Sequence, residues 1–334
     1  MKIQRFLAVF SARNKEFLRD RSALAWNILF PFLIVLGFAF AFSGNTLNLF
    51  KVGVYKGAAG QVELDFFATD YIQFIPVTDL KAGVTKVKRH QFDMVLDSAA
   101  RRYWINDTSP RGYILERVLN GTSDSAFSKQ TVSGRAIRYV DWVIPGVLAM
   151  NMMFSALFGI GYVIVRYRKN GVLKRLSATP LTAFEFLAAQ MASRLWLIMA
   201  ITVLVFLGTD LLIDLSMFGN YGDLFIVFTL GAISMISLGL VIAARTASEE
   251  LAGGLLNLIS WPMMFLSGVW FSLEGIHPLL QKVALLLPLT HLIEGARAIM
   301  IDGANLIDIS FHLLILMIMA GLFLAVGAYS FRWE

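Results

Sequence analysis

The chain of 334 residues has no cysteine, which excludes disulfide staples, thiolate metal sites and thiol catalysis. Charge is scarce too: Asp, Glu, Lys and Arg make up 16% of the residues, against about a quarter in soluble domains. No Gly-x-x-x-x-Gly-Lys-Ser/Thr run exists, so nothing cradles nucleotide phosphates as a P-loop does. His-Glu-x-x-His and Gly-x-Ser-x-Gly are also missing, and His90, His277, His291 and His312 are scattered along the chain. No catalytic residue and no metal site are signalled.

What the chain does have is apolar length. Hydrophobic residues make up 57% of it and the mean hydropathy is +0.67. Six apolar stretches, residues 23–42, 143–165, 195–213, 224–244, 251–271 and 311–331, approach the about 20 residues that cross a hydrocarbon layer about 30 Å thick. The first begins after a charged lead and has no small-residue cleavage site behind it, so it reads as a spanning helix rather than a signal peptide. Pro31 within it predicts a kink. Lys and Arg in short loops stay on the cytoplasmic face. Lys2, Arg5, Arg13, Lys15, Arg19 and Arg21 in the lead, and Arg166, Arg168, Lys169, Lys174 and Arg175 after the second crossing, place both termini inside. Asp210, Asp214 and Asp223 then lie outside. The net charge of +6 is in large part a topological signal rather than a nucleic-acid footprint.

Three segments depart from a plain bundle. The lead, residues 1–22, repeats Ile3, Phe6, Leu7, Phe10 and Phe17 near helical spacing, with Lys and Arg on other faces, as an interfacial helix does. The other reading, a solvated basic tail, leaves that aromatic stripe exposed. Residues 43–140 have the composition of a soluble domain. Strands are predicted at 50–55, 73–77, 92–96 and 102–105 and helices at 79–90 and 111–120, giving a small α/β domain on the outer side. Its mildly basic balance reads as an ordinary solvated surface, and the sequons at Asn106 and Asn120 read as turns. Residues 272–309 contain an apolar run, 276–289, too short to cross, and Pro278 and Pro288 break it into short helices. A re-entrant outer hairpin with a second arm at 292–301 is expected; counted as a crossing, the segment would instead put the C-terminus outside. The fold class is thus an all-α polytopic membrane protein of six transmembrane helices. It carries the α/β domain between helices 1 and 2 and the hairpin between helices 5 and 6, with the second to sixth crossings within 141–334.

The inner loop, residues 166–185, carries a mechanical element. Asn170-Gly171 forms a turn, Val172, Leu173 and Leu176 fall on one side of a two-turn helix, and Thr179-Pro180 stops it. Thr182 and Glu185 have capping-box spacing for the next helix. Such a short helix can dock in a partner's groove and transmit its motion, or it can be a basic loop held at lipid headgroups.

At this point the residues carry a resemblance. Tyr139-Val140-Asp141-Trp142-Val143-Ile144-Pro145-Gly146, then Asn170 through Leu181, then Leu266-Ser267-Gly268-Val269-Trp270-Phe271, and finally Leu287-Pro288-Leu289-Thr290-His291 with Glu294-Gly295-Ala296-Arg297 resemble, in order and spacing, the ABC type-2 exporter permeases. The external domain is similar to that of the drug and lipid exporter branch. The resemblance implies a dimer of permeases, the second identical or homologous, and two copies of a separate ATPase subunit. That subunit would dock on Asn170, Gly171, Val172, Leu173, Lys174, Arg175, Leu176 and Pro180. ATP and Mg²⁺ would be held by the partner and no cofactor by this chain. Phe271, Glu274, Pro278, Pro288, His291, Glu294 and Arg297 would form the outer gate, in a bacterial inner membrane. Two departures stand out: Lys169-Asn170 where many members have an acidic residue before the glycine, and Ser272 where proline is common.

Among single residues, Arg194 is expected to snorkel to the inner headgroups. Glu274 and Glu294 are expected to pair with Lys282 or Arg297 at the outer rim. Asn257 and Ser260 either pack or touch substrate, and Met153 and Phe154 either line an adaptable apolar path or pack. The implied function is export of an amphipathic or lipid-like substrate without catalysis by this chain. An ion-driven transporter would place acids at mid-membrane, where the predicted spans have almost none. A membrane sensor would need an output domain larger than these inner segments supply.

Overall fold

Phe6 and Phe10 fall one helical turn apart, and the lead forms α1 (Ile3–Arg19) with those rings stacked, centroids 6.0 Å apart. In the computed structural model the described residues are 3–41, 50–55, 65–122, 127–134, 138–246, 248–273 and 277–333. They fall into two units, Met1–Ala41 with Val140–Glu334, and Phe42–Tyr139.

In the first unit α2 (Arg21–Ala41) follows α1 and continues through Pro31. Then come α5 (Tyr139–Ala156), a π-helical segment (Leu157–Tyr162) and α6 (Val163–Lys169), an unbroken helical run from Tyr139 to Lys169. The two-turn α7 (Val172–Ser177) leads to α8 (Ala183–Ile213) and α9 (Tyr221–Ala243), and α13 (Ser310–Ser330) comes last. Among the described residues Tyr139–Lys169, Ala183–Ile213, Tyr221–Ala243 and Ser310–Ser330 are long and apolar enough to cross a membrane. The protein is therefore a mainly helical membrane protein.

The fifth expected crossing is shorter than its apolar run. α10 (Glu249–Leu266) stops five residues before Phe271 because Gly268 turns the backbone to φ +75°. Pro278 and Pro288 sit in the first turns of α11 (Pro278–Ala284) and α12 (Pro288–Asp302), where a missing N–H costs nothing. Glu274 lies outside the described residues.

The second unit is α/β. Its sheet runs β2-β1-β3-β4-β5. β1 (Phe50–Tyr55) is parallel to β2 (Ile72–Val77) and β3 (Met94–Asp97), while β4 (Arg102–Asn106) is antiparallel to β3 and parallel to β5 (Ser128–Val132). α3 (Leu80–Lys88) connects β2 to β3, and α4 (Pro110–Thr122) connects β4 to β5. Strand alternation sends Val52, Val54, Met94, Leu96, Tyr103 and Ile105 to one core with Leu115 and Leu119 of α4. Val95 faces the other core with Val77, Val87 and Phe92. Asn106 does sit at a turn, its Oδ1 accepting from the Thr108 N–H at 3.0 Å. Asn120, in contrast, lies inside α4, which corrects the turn expected there. β5, Ser-Lys-Gln-Thr-Val, was not foreseen: four of its five residues are exposed, so it lacks the apolar alternation that marks a strand.

Candidate coupling site

The Asn170-Gly171 turn is made by Gly171 at φ +66°, where a side chain is strained. Asn170 N–H donates to Arg166 O at 3.0 Å, Gly171 N–H to Arg168 O at 3.1 Å, and Arg175 N–H starts α7 on Gly171 O at 3.1 Å. Leu173 is fully buried and Val172 and Leu176 are half-buried. Leu173 therefore anchors α7 to its own chain. The outward face is Asn170, Lys174, Arg175, Ser177, Ala178, Thr179 and Pro180, all exposed. Thr179 Oγ1 donates to Leu176 O at 2.6 Å and ends the helix. Thr182 and Glu185 then form the expected capping box.

The last turn of α6 ties this loop to four other places. Arg166 donates to Glu16 of α1 at 3.0 Å, and the Tyr167 hydroxyl donates to the same carboxylate. Arg168 spreads its guanidinium over the C-terminal end of α9, donating to Ala243 O at 2.9 Å and Ala244 O at 3.0 Å, and reaches Arg332 O at 2.9 Å. Cationic donors are favoured at a helix C-terminus, where carbonyls lack partners. Lys169 pairs with Glu249 in the first turn of α10 at 3.7 Å, and Glu249 also accepts from the Tyr162 hydroxyl at 2.8 Å. Arg5 adds a bond to Pro180 O. Burial pushes the Glu16 carboxyl up, but the Tyr167 hydroxyl with Arg13 and Arg166 outweighs it and holds Glu16 below the usual carboxylate range. From sequence these basic residues read only as orientation signals; the spacing of Arg13 and Glu16, one turn apart on α1, was the one available hint of a network.

Arg194 corrects an expectation. It does not snorkel: it is 5% exposed, donates through Nε to Ser155 O at 2.7 Å and through Nη2 to the same oxygen, and lies 5.3 Å over the Phe17 ring. Packing of α1 on α8 closes the route to the headgroups.

At the other node, Arg297 is buried rather than at a rim. Its Nη2 donates to Gly268 O at 2.7 Å, its Nε to Trp142 O at 3.2 Å, and its guanidinium carbon sits 3.6 Å from the Trp142 ring centroid. The expected partner Glu294 is 3.6 Å away. One side chain thus joins α12, the turn after α10 and the start of α5. His291 and His312, scattered in sequence, meet with Nδ1 atoms 3.0 Å apart. Phe271 is 75% exposed and Pro288 is buried. The proposed path residues are divided: Met153 is buried on α5 and Phe154 rests near Phe158, whereas on α10 Ser260 is buried and Asn257 is exposed. The Asn257 amide is satisfied by its own helix, donating to Gly253 O at 2.9 Å and accepting from Trp261 Nε1 at 3.3 Å.

Crossing-length helices joined through a short exposed basic helix define a polytopic membrane protein. The chain belongs to the ABC-2 type transporter family, whose model matches residues 90–301. It is 27% identical over 195 residues to the inner membrane transport permease YhhJ of Escherichia coli, a match covering 56% of this chain and 51% of that protein. It is 29% identical over 183 residues to nodulation protein J of Neorhizobium galegae, covering 53% of this chain and 67% of that one. It is 29% identical over 190 residues to the linearmycin resistance permease protein LnrN of Bacillus subtilis, covering 54% and 48%. The chain thus spans about half the length of YhhJ and LnrN.

Proposed function

We propose that this chain is the permease subunit of an ABC exporter in a bacterial inner membrane, moving an amphipathic or lipid-like substrate outward. A separate ATPase, in two copies, docks on the exposed face of α7, and a second permease completes the path. Six crossings, with α2 and α10 added to the four longest helices, keep both termini cytoplasmic and the α/β unit external. The transporter family and the names of the relatives support this reading; the observation that carries it is the last turn of α6. Four consecutive residues, Arg166 to Lys169, bind α1, α9, α10 and the chain near Arg332, so a push on α7 reaches several helices at once. The docking face carries Lys174 and Arg175 and no acid between Asn170 and Pro180, which suits an acidic rim on the partner.

The test is purification of the tagged permease from its native membrane in mild detergent, with mass spectrometry and ATPase assay of the eluate. A copurifying P-loop protein lost on Lys174→Glu with Arg175→Glu supports the docking face. A stable permease that brings no ATPase partner overturns the reading.

A further inference from the structure

The helical run from Tyr139 to Lys169 changes register once, in the π segment Leu157–Tyr162, just before the turn that bears the coupling hub. A π turn carries one residue more than an α turn, and such segments recur at functional sites. Two buried guanidinium groups from outside meet the helix here, one within the π segment and one just before it. Arg13 of α1 donates through Nη2 to Gly159 O, inside the segment, at 3.2 Å, and Arg194 of α8 donates to Ser155 O, in the last turn of α5, at 2.7 Å. Each is 5% exposed. Gly159 leaves Arg194 room: a Cβ there would lie 2.0 Å from its guanidinium carbon. Gly161 gives α10 the same close approach, since a Cβ would meet Leu256 at 2.8 Å.

Where a helix returns from i→i+5 to i→i+4 bonding, one carbonyl toward the end of the wide segment loses its intrahelical donor. Gly159 O lies in that part of the segment and receives its donor from α1. Arg13 is itself placed by Glu16, which it meets at 2.9 Å, and α1 is seated on α8 by the Ser193 hydroxyl donating to Asn14 and by Phe17 under Arg194. If α1 lifts away, a regular α register restores the lost bond from within the helix. That change advances everything downstream by one residue, about 100° of rotation and about 1.5 Å of rise. The contact that distinguishes the two states is therefore explicit, as a two-state element requires.

We propose that Leu157–Tyr162 is a one-residue register switch in the path to the coupling turn, with Arg13 as the positioning residue that holds its wide state and Arg194 fixing the helix just before it. The switch deepens the transport reading, but the geometry that defines it lies wholly within this chain. It can therefore be tested without nucleotide or partner.

The absence of cysteine makes the test direct. An Asn14→Cys, Ser193→Cys pair is oxidised in the full chain, held in phosphatidylethanolamine and phosphatidylglycerol nanodiscs, and backbone amide exchange is followed by mass spectrometry. Oxidation should slow exchange across the π segment by about tenfold, with reductant reversing it, because exchange reports the local opening that the lock prevents. Equal exchange in the two forms overturns the switch. Arg13→Leu should raise exchange there in the unlocked chain while Arg13→Lys, which keeps a donor, restores the wild-type pattern. If Lys and Leu behave alike, Arg13 is not a positioning residue. Deletion of Phe158 should give the α register permanently and lower the yield of the 14–193 disulfide severalfold. An unchanged yield in a membrane-inserted deletion variant counts against the switch, and if the deletion does not insert, the Arg13 pair decides alone. Loss of the ATPase partner in the separate purification would overturn the transport reading and leave these results standing.

Discussion

The two units differ in what they leave exposed. In the α/β unit the cores are Val, Leu, Ile, Met and Phe with Tyr103, and the large exposed apolar side chains among the described residues are Tyr71, Tyr113 and Ile114. The helical unit exposes Leu29, Leu204, Leu211, Phe225, Trp261, Phe265, Met317 and many more, while burying Arg13, Arg194 and Arg297. A unit in water hides most of its apolar side chains, whereas one in lipid can leave many of them exposed and has the stronger reason to hide its charges. Buried charges in both units find backbone partners: Asp93 of the α/β unit accepts from the Lys51 N–H at 2.8 Å. In the helical unit Arg194 and Arg297 donate to backbone carbonyls at helix bends and ends, at Ser155 and Gly268. Arginine there organises backbone, and the apolar contacts tie one helix to the next.

Breaking the helical side of that contrast should have the largest effect. Arg297→Leu removes the guanidinium from the Trp142 ring and leaves the carbonyls of Gly268 and Trp142 without this donor in a dry setting, a loss of about 4 kcal/mol on summing the cost of the two carbonyls. The expected outcome is a sharp fall in folded yield by fluorescence-detected size exclusion, and wild-type yield would show that the node is not structural. Leu115→Ala attacks the other side, emptying a fully buried position in the α/β core at about 3 kcal/mol. Here the expected effect is local: proteolysis opens residues 65–132 while the helical unit keeps its unfolding midpoint. A midpoint that falls with it would show the units to be one cooperative body. Gly171→Ala is smaller, about 1 kcal/mol for a Cβ at left-handed φ. Its Cβ would meet no neighbour within 4 Å, so the fold should survive. The effect should then be seen mainly as weaker binding of the ATPase in the purification described above.

How much of this was legible depended on which contrast a residue served. Four crossing-length helices followed from apolar length alone, and the start of α8 followed from the Thr182 and Glu185 capping box, whereas the Asn220 cap that begins α9 was not read. The α/β strands with alternating residues were readable, whereas exposed β5 was not, because its place is set by pairing with β4 rather than by its own pattern. The end of α10 was misjudged since Val269, Trp270 and Phe271 continue the apolar run and only the φ of Gly268 stops the helix. The buried arginines were the hardest. On apolar helices a basic residue signals orientation, and nothing local distinguishes Arg194, which bonds a carbonyl 39 residues earlier, from one that reaches the headgroups. Tertiary approach of α1 decides it, through a glycine at 159 that sequence alone would assign to flexibility.

The smallest test sharpens the comparison by acid. Asp93 in the α/β unit is 6% exposed, and burial raises its carboxyl above the usual value although the Lys51 N–H donates to it at 2.8 Å. The folded state then holds the proton more tightly than the unfolded one, so this residue's contribution grows less favourable as pH rises through the interval above the ordinary Asp range. Glu16 in the helical unit is shifted the other way by Tyr167, Arg13 and Arg166, so its contribution is present above the ordinary Glu range and is lost as pH falls through the folded value. Protection factors for β3 amides in Asp93→Asn against wild type, and for the junction of α1 with α6 in Glu16→Gln against wild type, read each residue separately. Acidification from neutrality should narrow both differences. At neutral pH, however, the Asp93 variant should be the better protected of its pair and the Glu16 variant the worse. The same sign in both units would mean that the carboxylate of Asp93 is sustained by Arg111 and His90 more than burial opposes it, and that the two interiors treat charge alike after all.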